Sequence, residues 1–201
     1  LNIHAQRETF RDEDKIRVHP IITKGGDVVN VVPYDVRMET YVRGARLEAI
    51  TDANAKVDRA LRAGADAVGA KVAIQNIAGY LPLIQNPALS EIARSNALAL
   101  AGEEGVGAGG LQGGSTDMGD LSYLIPTIQP YSGGIRGNVH AADFEVVDFE
   151  AAVIYPAKVM AMTVIDLLFG AAEEAQRVIG GFKPEMTADQ YLAFLEKIEM
   201  T

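Results

Sequence analysis

Val36-Arg-Met-Glu-Thr-Tyr-Val-Arg43 is the stretch that decides the first part of the fold. Val36, Met38, Thr40 and Val42 alternate with Arg37, Glu39, Tyr41 and Arg43. One face is apolar and the other polar, as in an antiparallel sheet covered on one side. The stretch reads as the later part of a long strand over residues 28–44. Upstream, Lys24-Gly-Gly-Asp27 is a break, and residues 16–23 read as an earlier strand. That strand has Ile16, Val18, Pro20 and Ile22 on one side, and Arg17, His19, Ile21 and Thr23 on the other. Downstream the period changes. Leu47, Ile50, Asn54, Val57, Leu61 and Val68 follow helical spacing through an alanine-rich run weakened by Gly64. Residues 72–78 are a further strand candidate, and residues 1–10 read as the tail of a helix. Helix end, strand, strand, helix, strand is the order of a split βαβ (ferredoxin-like) plait without its first strand and most of its first helix.

The rest of the chain is read against its composition. It has 201 residues, 48% hydrophobic and 22% charged, an ordinary globular balance. The net charge of −9 argues against nucleic acid or an anionic membrane as partner. The absence of cysteine excludes disulfides, thiolate zinc sites and cysteine nucleophiles, and fits a cytoplasmic protein. The chain begins at Leu1 with no basic, apolar leader, so no signal peptide is expected and the start reads as an internal one. The most apolar segment, residues 151–169, contains Pro156, Lys158 and Asp166, which favours a buried helix over a membrane span.

Leu81-Pro82 and Asn86-Pro87 mark a domain boundary, dividing the chain into residues 1–82 and 83–201. A helix is expected over 87–101, a glycine-rich loop over 102–120, a short strand near 125–128 and a loop over 130–140. Residues 144–172 read as mostly helix, starting afresh after Asp148 or Pro156 and broken by Gly180-Gly181. Thr187 and Gln190 form a capping box that opens the last helix.

Several residues carry chemistry. The run Gly105-Val-Gly-Ala-Gly-Gly110 follows a helix and lacks Gly-Lys-Ser/Thr, so it is a flexible loop rather than a nucleotide fingerprint. Ser115, with Asp117 and His140, lacks the Gly-x-Ser-x-Gly elbow of a serine hydrolase. Asp117 and Asp120 also suit helix caps. His140, in Gly137-Asn-Val-His140, either faces a cleft and binds a metal or moves a proton, or is satisfied by a neighbouring carbonyl. Asn30 and Arg43 suit a carboxylate grip, or are an ordinary polar strand face.

Four motifs then occur in order: Gly25-Gly-Asp-Val-Val-Asn-Val-Val-Pro33, Met38-Glu-Thr-Tyr-Val-Arg43, Gly114-Ser-Thr-Asp-Met-Gly-Asp120, and His140. Together they resemble the aminoacylase and carboxypeptidase-G type of metallopeptidases (amidohydrolases), most of all the branch containing aminobenzoyl-glutamate hydrolase. The resemblance implies an α/β catalytic domain with an inserted, plait-like α+β lid that forms a homodimer. Residues 1–82 would be the lid, and residues 83–201 the C-terminal part of a zinc-peptidase-like catalytic domain. His140 matches the family's last metal ligand. Asn30 and Arg43 match lid residues that contact the substrate carboxylate or its transition state. Gly114, Ser115, Thr116 and Asp117 match the loop lining the substrate pocket.

The implied chemistry is amide hydrolysis by water activated on two divalent metals, zinc or else manganese, nickel or cobalt. The implied substrate is a small carboxylate-bearing amide: an N-acyl amino acid, an aminobenzoyl-glutamate-like compound or a dipeptide. The family's other ligands and its general-base glutamate precede these motifs, and Glu103-Glu104 comes too late in the order to replace them. The 201 residues alone are therefore expected neither to hold the metal pair nor to hydrolyse amides, since a catalytic zinc needs about three protein ligands. A free-standing dimerisation or binding module and an unrelated α/β protein are the alternatives. Val36, Met38, Val42 and the helix over 151–169 are expected to leave apolar surface short of cover.

Overall fold

The computed structural model describes Ile3, residues 9–107 and residues 115–199. Helix and strand are mixed, and the contacts divide the chain after Ala78, with a second unit running from Gly79 to Lys197.

The first unit is built on an antiparallel pair, β1 (Arg17–Lys24) and β2 (Arg37–Arg43). The register sets Arg17 opposite Arg43, Val18 opposite Val42, His19 opposite Tyr41 and Ile22 opposite Met38, with an irregularity between Ile22 and Lys24. β2 is shorter than the sequence reading. Residues 28–36 form a loop, turned by the Val31 N–H donating to Val28 O at 3.2 Å. The loop is pinned by the Asp35 carboxylate, which takes hydrogen bonds from Arg37 Nη2 (3.0 Å) and Lys24 Nζ (3.2 Å). Those bonds, Arg37's first, hold the Asp35 carboxyl below its ordinary pKa.

Helix α1 (Leu47–Asp66) follows β2 and runs through Gly64. It buries Ala49, Ala53, Val57 and Ala60, one stripe of small side chains that lets backbones approach closely. Residues 72–78, expected as a strand, are not one. Among the described residues they have no partner strand, and an isolated extended segment has no ladder to join. Instead Asn76 ties the segment to α1, donating to Asp58 Oδ2 at 3.0 Å and accepting from Asn54 Nδ2 at 3.1 Å. The helix tail expected over residues 1–10 lies largely outside the described residues.

The second unit opens with α2 (Pro87–Gly105). Asn86 caps it, accepting from the Leu89 N–H at 2.9 Å, and Pro87 occupies the first turn, where its missing N–H costs nothing. Gly102 leaves helical geometry (φ 67°), so the regular helix ends where the sequence placed its end. Helix α3 (Asp117–Ser122) takes up the end of what was expected to be loop, residues 117–120, and the two residues beyond it. Residues 125–128 are not a strand. The segment is held by single bonds, Asn86 N–H to Thr127 O at 2.8 Å and Gln129 N–H to Gln85 Oε1 at 2.9 Å.

A hairpin of two short strands joins β3 (Ile135–Arg136), inside the expected loop, to β4 (Glu145–Val146), where the start of a helix was expected. A helical segment then starts after Asp148, whose Oδ1 accepts from the Ala151 N–H at 3.1 Å. It opens as a π-helical turn, Glu150–Ile154, and continues as α4 (Tyr155–Leu168). The helix ends at Leu168, short of the expected Ala172, and a separate α5 (Glu173–Gly180) follows, which ends at Gly180-Gly181, the break read from the sequence. The last helix, α6 (Ala188–Glu199), has its capping box in place: Gln190 N–H donates to Thr187 Oγ1 (3.2 Å) and Thr187 N–H to Gln190 Oε1 (2.8 Å).

The helix over residues 151–169 is not buried among the described residues, and it leaves the apolar surface short of cover that the sequence led us to expect. The helix Glu150–Leu168 is long and apolar enough to cross a membrane by length and composition alone, yet it packs on α2 through polar groups. Asn96 Nδ2 donates to Asp166 Oδ2 (2.7 Å) and Thr163 Oγ1 (3.3 Å). Its opposite face, Val153, Ala157, Met160, Val164 and Leu168, is an exposed apolar stripe. In the first unit Val36 and Met38 are likewise exposed, while Val42 is half-buried.

Candidate functional site

The expected site residues fall in both units. In the first, Arg43 closes β2 and is half-buried, its guanidinium 5.1 Å from the centre of the Tyr41 ring. This contact turns the fork of donors along the sheet face that carries Arg17, His19 and Tyr41. Asn30 is not at the entry to this strand. It is exposed in the loop at the far end of the hairpin. The length of β2, about 20 Å at strand rise, separates that end from Arg43, so the hairpin does not bring the two side chains onto one anion.

In the second unit the glycine-rich motif divides into two. Gly114 lies outside the described residues. Ser115 and Asp117 are exposed. Thr116 stands at the N-cap position of α3, but its hydroxyl donates to Gln129 Oε1 (2.8 Å) instead of capping the helix. The half of the motif that follows holds the fold together. Gly119 is buried with its Cα against the backbone of Leu81. Asp120 Oδ1 accepts from the Leu81 N–H (3.0 Å), and Ser122 Oγ from the Ile84 N–H (3.0 Å).

Asp120 also takes a hydrogen bond from the Tyr191 hydroxyl. Burial pushes its carboxyl above the ordinary value against the pull of both hydrogen bonds, and the Asp117 charge adds to the rise. Burial likewise raises the Tyr191 phenol, with the Asp120 charge and their hydrogen bond acting in the same direction. Asp120 is thus neither a cap nor a pocket residue. It fastens α3 to the segment at Leu81.

His140 is at the tip of the β3–β4 hairpin and is exposed. Residues 138–141 form a turn closed by the Ala141 N–H donating to Asn138 O (3.0 Å), and His140 sits in it at φ 66°. Left-handed backbone is uncommon for a residue with a side chain and is tolerated by histidine better than by most. Gly137 (φ 83°) makes the turn possible, since a Cβ there would overlap the Asp143 carbonyl. The carbonyl-satisfied alternative for His140 finds no hydrogen bond to support it among the described residues. Neither does the structure join His140 to Ser115 or Asp117 by any bond among them.

One imidazole is not a metal site. Among the described residues no group of three or more His, Asp or Glu side chains is placed to hold an ion, so the residues present do not fit a two-metal centre by themselves.

The Xaa-Arg dipeptidase of Mus musculus is 32% identical over 164 residues, which cover 78% of this chain and 38% of that protein. The chain is a distant relative of a dipeptidase. The Xaa-Arg dipeptidase of Homo sapiens agrees, at 29% identity over 188 residues, 90% of this chain and 43% of that protein. The chain thus spans about two fifths of the length of these dipeptidases. No protein-family model matches it. The kinship supports the peptidase and amidohydrolase likeness read from the motifs, with a correction of branch: these relatives are named as dipeptidases, and they do not support the aminobenzoyl-glutamate branch. The register also sets Arg17 opposite Arg43, on the face that carries Tyr41. The parity of Arg17 was legible, but its position opposite Arg43 depends on the register.

Proposed function

We propose that this chain is part of a peptidase that hydrolyses the amide bond of dipeptides, with a C-terminal arginine or similar residue. The observation that carries the reading is the relationship to the two Xaa-Arg dipeptidases, which extends over 78% and 90% of this chain. Two features of the chain, Arg43 and His140, support it. Arg43 offers a forked donor, oriented by Tyr41, for a substrate carboxylate. Residues 1–82 would serve as the lid and dimerisation domain, and residues 83–201 as the C-terminal part of the catalytic domain. His140 presents an unencumbered imidazole on a backbone-fixed turn. Dependence on two divalent metals, with His140 as one ligand, rests on the motif resemblance, and no step of the reaction is derived through them.

The test is hydrolysis by the protein from its complete reading frame, assayed on Xaa-Arg dipeptides, N-acyl amino acids and aminobenzoyl-glutamate. Dipeptides should be cleaved best. Arg43→Gln should raise KM about tenfold, the loss of roughly 1.4 kcal/mol of carboxylate binding. His140→Ala should lower the metal content of the purified protein. Absence of dipeptide cleavage by metal-replete protein sinks the proposal.

A further inference from the structure

The exposed face of β1–β2 carries an arrangement that folding alone does not favour. Arg17 and Arg43 are directly opposite each other in the antiparallel register, so their Cβ atoms lie about 5 Å apart on one face, where like charges repel. Neither guanidinium has an ion pair among the described residues. Asp14, buried at the entry to β1, is engaged elsewhere: it accepts from Arg46 Nη2 at 2.6 Å and Nε at 2.9 Å through one oxygen. Arg17 and Arg43 thus stand paired across the hairpin, and Arg46, three residues beyond Arg43, takes the Asp14 carboxylate, in a chain of net charge −9. Next to the arginines on the same face lie His19 and Tyr41, paired across the strands and both exposed. The Tyr41 ring holds the Arg43 guanidinium in place, so less freedom is lost when that fork takes a ligand.

We infer that Arg17 and Arg43 together bind a carboxylate, one guanidinium to each side of it, with Arg17 a recognition residue in its own right. Two forks converging on one anion relieve the repulsion between them, and each supplies charge-assisted hydrogen bonds. A carboxylate fits the span better than a ring or a cation, because both walls are donors and neither can accept. The inference rests on the peptidase reading for its natural ligand, the terminal carboxylate of a dipeptide. The chemistry of the face is shared by free phosphate, which the test separates.

The experiment titrates the 201-residue chain with Nα-acetyl-arginine, Nα-acetyl-arginine amide and inorganic phosphate, following the Arg Nε–H and Tyr41 ring signals by NMR. The acid should shift the signals of Arg17, Arg43 and Tyr41, and the amide, which lacks the carboxylate, should not. Arg17→Gln and Arg43→Gln should each weaken binding of the acid at least fivefold. Arg17→Lys, which keeps the charge and loses the fork, should fall between. Equal shifts with acid and amide, binding of phosphate but not of the acid, or an Arg17→Gln that binds as wild type overturns the inference. Should Arg17→Gln fail to fold, an Arg17→Lys that binds as tightly as wild type overturns it instead. Carboxylate binding here, with no dipeptide cleavage by the complete protein, would leave this site standing and remove the peptidase reading. Cleavage without carboxylate binding at Arg17 would do the reverse.

Discussion

Gly119→Ala sets helix propensity against packing, and the magnitudes decide between them. Inside a helix, alanine is favoured over glycine by about 1 kcal/mol, so α3 taken alone should gain. The structure says otherwise. A Cβ on Gly119 would overlap Leu81 O and stand 2.9 Å from Leu81 C, backbone atoms that cannot rotate away. The carbon contacts of a packed interior sit near 3.5–4.0 Å, so α3 must lift off the Leu81 segment. Lifting it breaks the bond from the Leu81 N–H to the Asp120 carboxylate and the bond from the Ile84 N–H to Ser122. A hydrogen bond to a charged group contributes about 1.5–3 kcal/mol and a neutral one about 0.5–1.5. Forced overpacking costs a further 1–3 kcal/mol or so. After the propensity gain, the net loss is about 2–6 kcal/mol, a large share of the roughly 5–15 kcal/mol that stabilises a typical domain.

Urea unfolding followed by far-UV circular dichroism measures the loss as a fall in midpoint of about 1–3 M, for slopes near 2 kcal/mol/M. Amide hydrogen exchange locates it, since the Leu81 and Ile84 N–H groups should lose protection first. Gly180→Ala is the control. It ends α5 with no described atom within 4 Å of the added Cβ, so it should be neutral or stabilise by up to about 1 kcal/mol. A Gly119→Ala protein as stable as wild type, with Leu81 and Ile84 still protected, refutes the packing argument.

Three further outcomes follow from particular contacts. The Asp120 carboxyl is raised in the folded chain, so its contribution is complete at low pH and is lost as pH climbs above the ordinary value of about 4. Asp120→Asn should therefore gain on wild type in urea midpoint between pH 3.5 and pH 7, and a variant whose midpoint stays level with or falls relative to wild type over that range contradicts the burial cause. Val164→Lys with Leu168→Lys should reduce concentration-dependent association seen by light scattering, because each apolar side chain contributes about 1.5–3 kcal/mol when fully buried against a partner. Indistinguishable scattering from the two proteins would show that the α4 stripe drives no association. Arg17→Gln should raise thermal stability by about 0.2–1 kcal/mol at low salt, with the gain fading in high salt, since it removes a like-charge cross-strand pair. A destabilised variant would mean that Arg17 is already paired within the fold.

What the sequence made legible was local. The alternation over residues 37–43, the helical spacing from Leu47, the Asn86-Pro87 cap and the Thr187–Gln190 box are each decided by neighbours within one or two turns, and each is found. What it hid was decided at a distance. Helix α3 is short and contains a glycine, which argues against a helix on propensity. It exists because that glycine lets it sit on Leu81, some forty residues away in the chain. Residues 72–78 have the composition of a strand, but composition does not supply a neighbour. Asn30 reads as part of a strand because valines surround it. Val28, Val29, Val31 and Val32 are instead exposed in a loop that the Asp35 ion pairs hold.

The same distinction separates the candidate site residues from one another. The backbone of His140 is set by its own turn: Gly137 permits the reversal and the Ala141 N–H closes it, with no packed side chain needed. Arg43 is set by its strand and by Tyr41, two residues away. Both are therefore aimed by local structure, and both motifs could be recognised in the sequence. Neither is completed by it. A grip on a carboxylate needs a second donor, and a metal needs further ligands, each held within about half an ångström by surrounding groups. For Arg43 the register supplies that second donor across the hairpin, in Arg17. For His140 the described residues supply none. The proposed carboxylate face, Arg17 with Arg43, therefore lies within one unit, and its function can be tested without the chemistry.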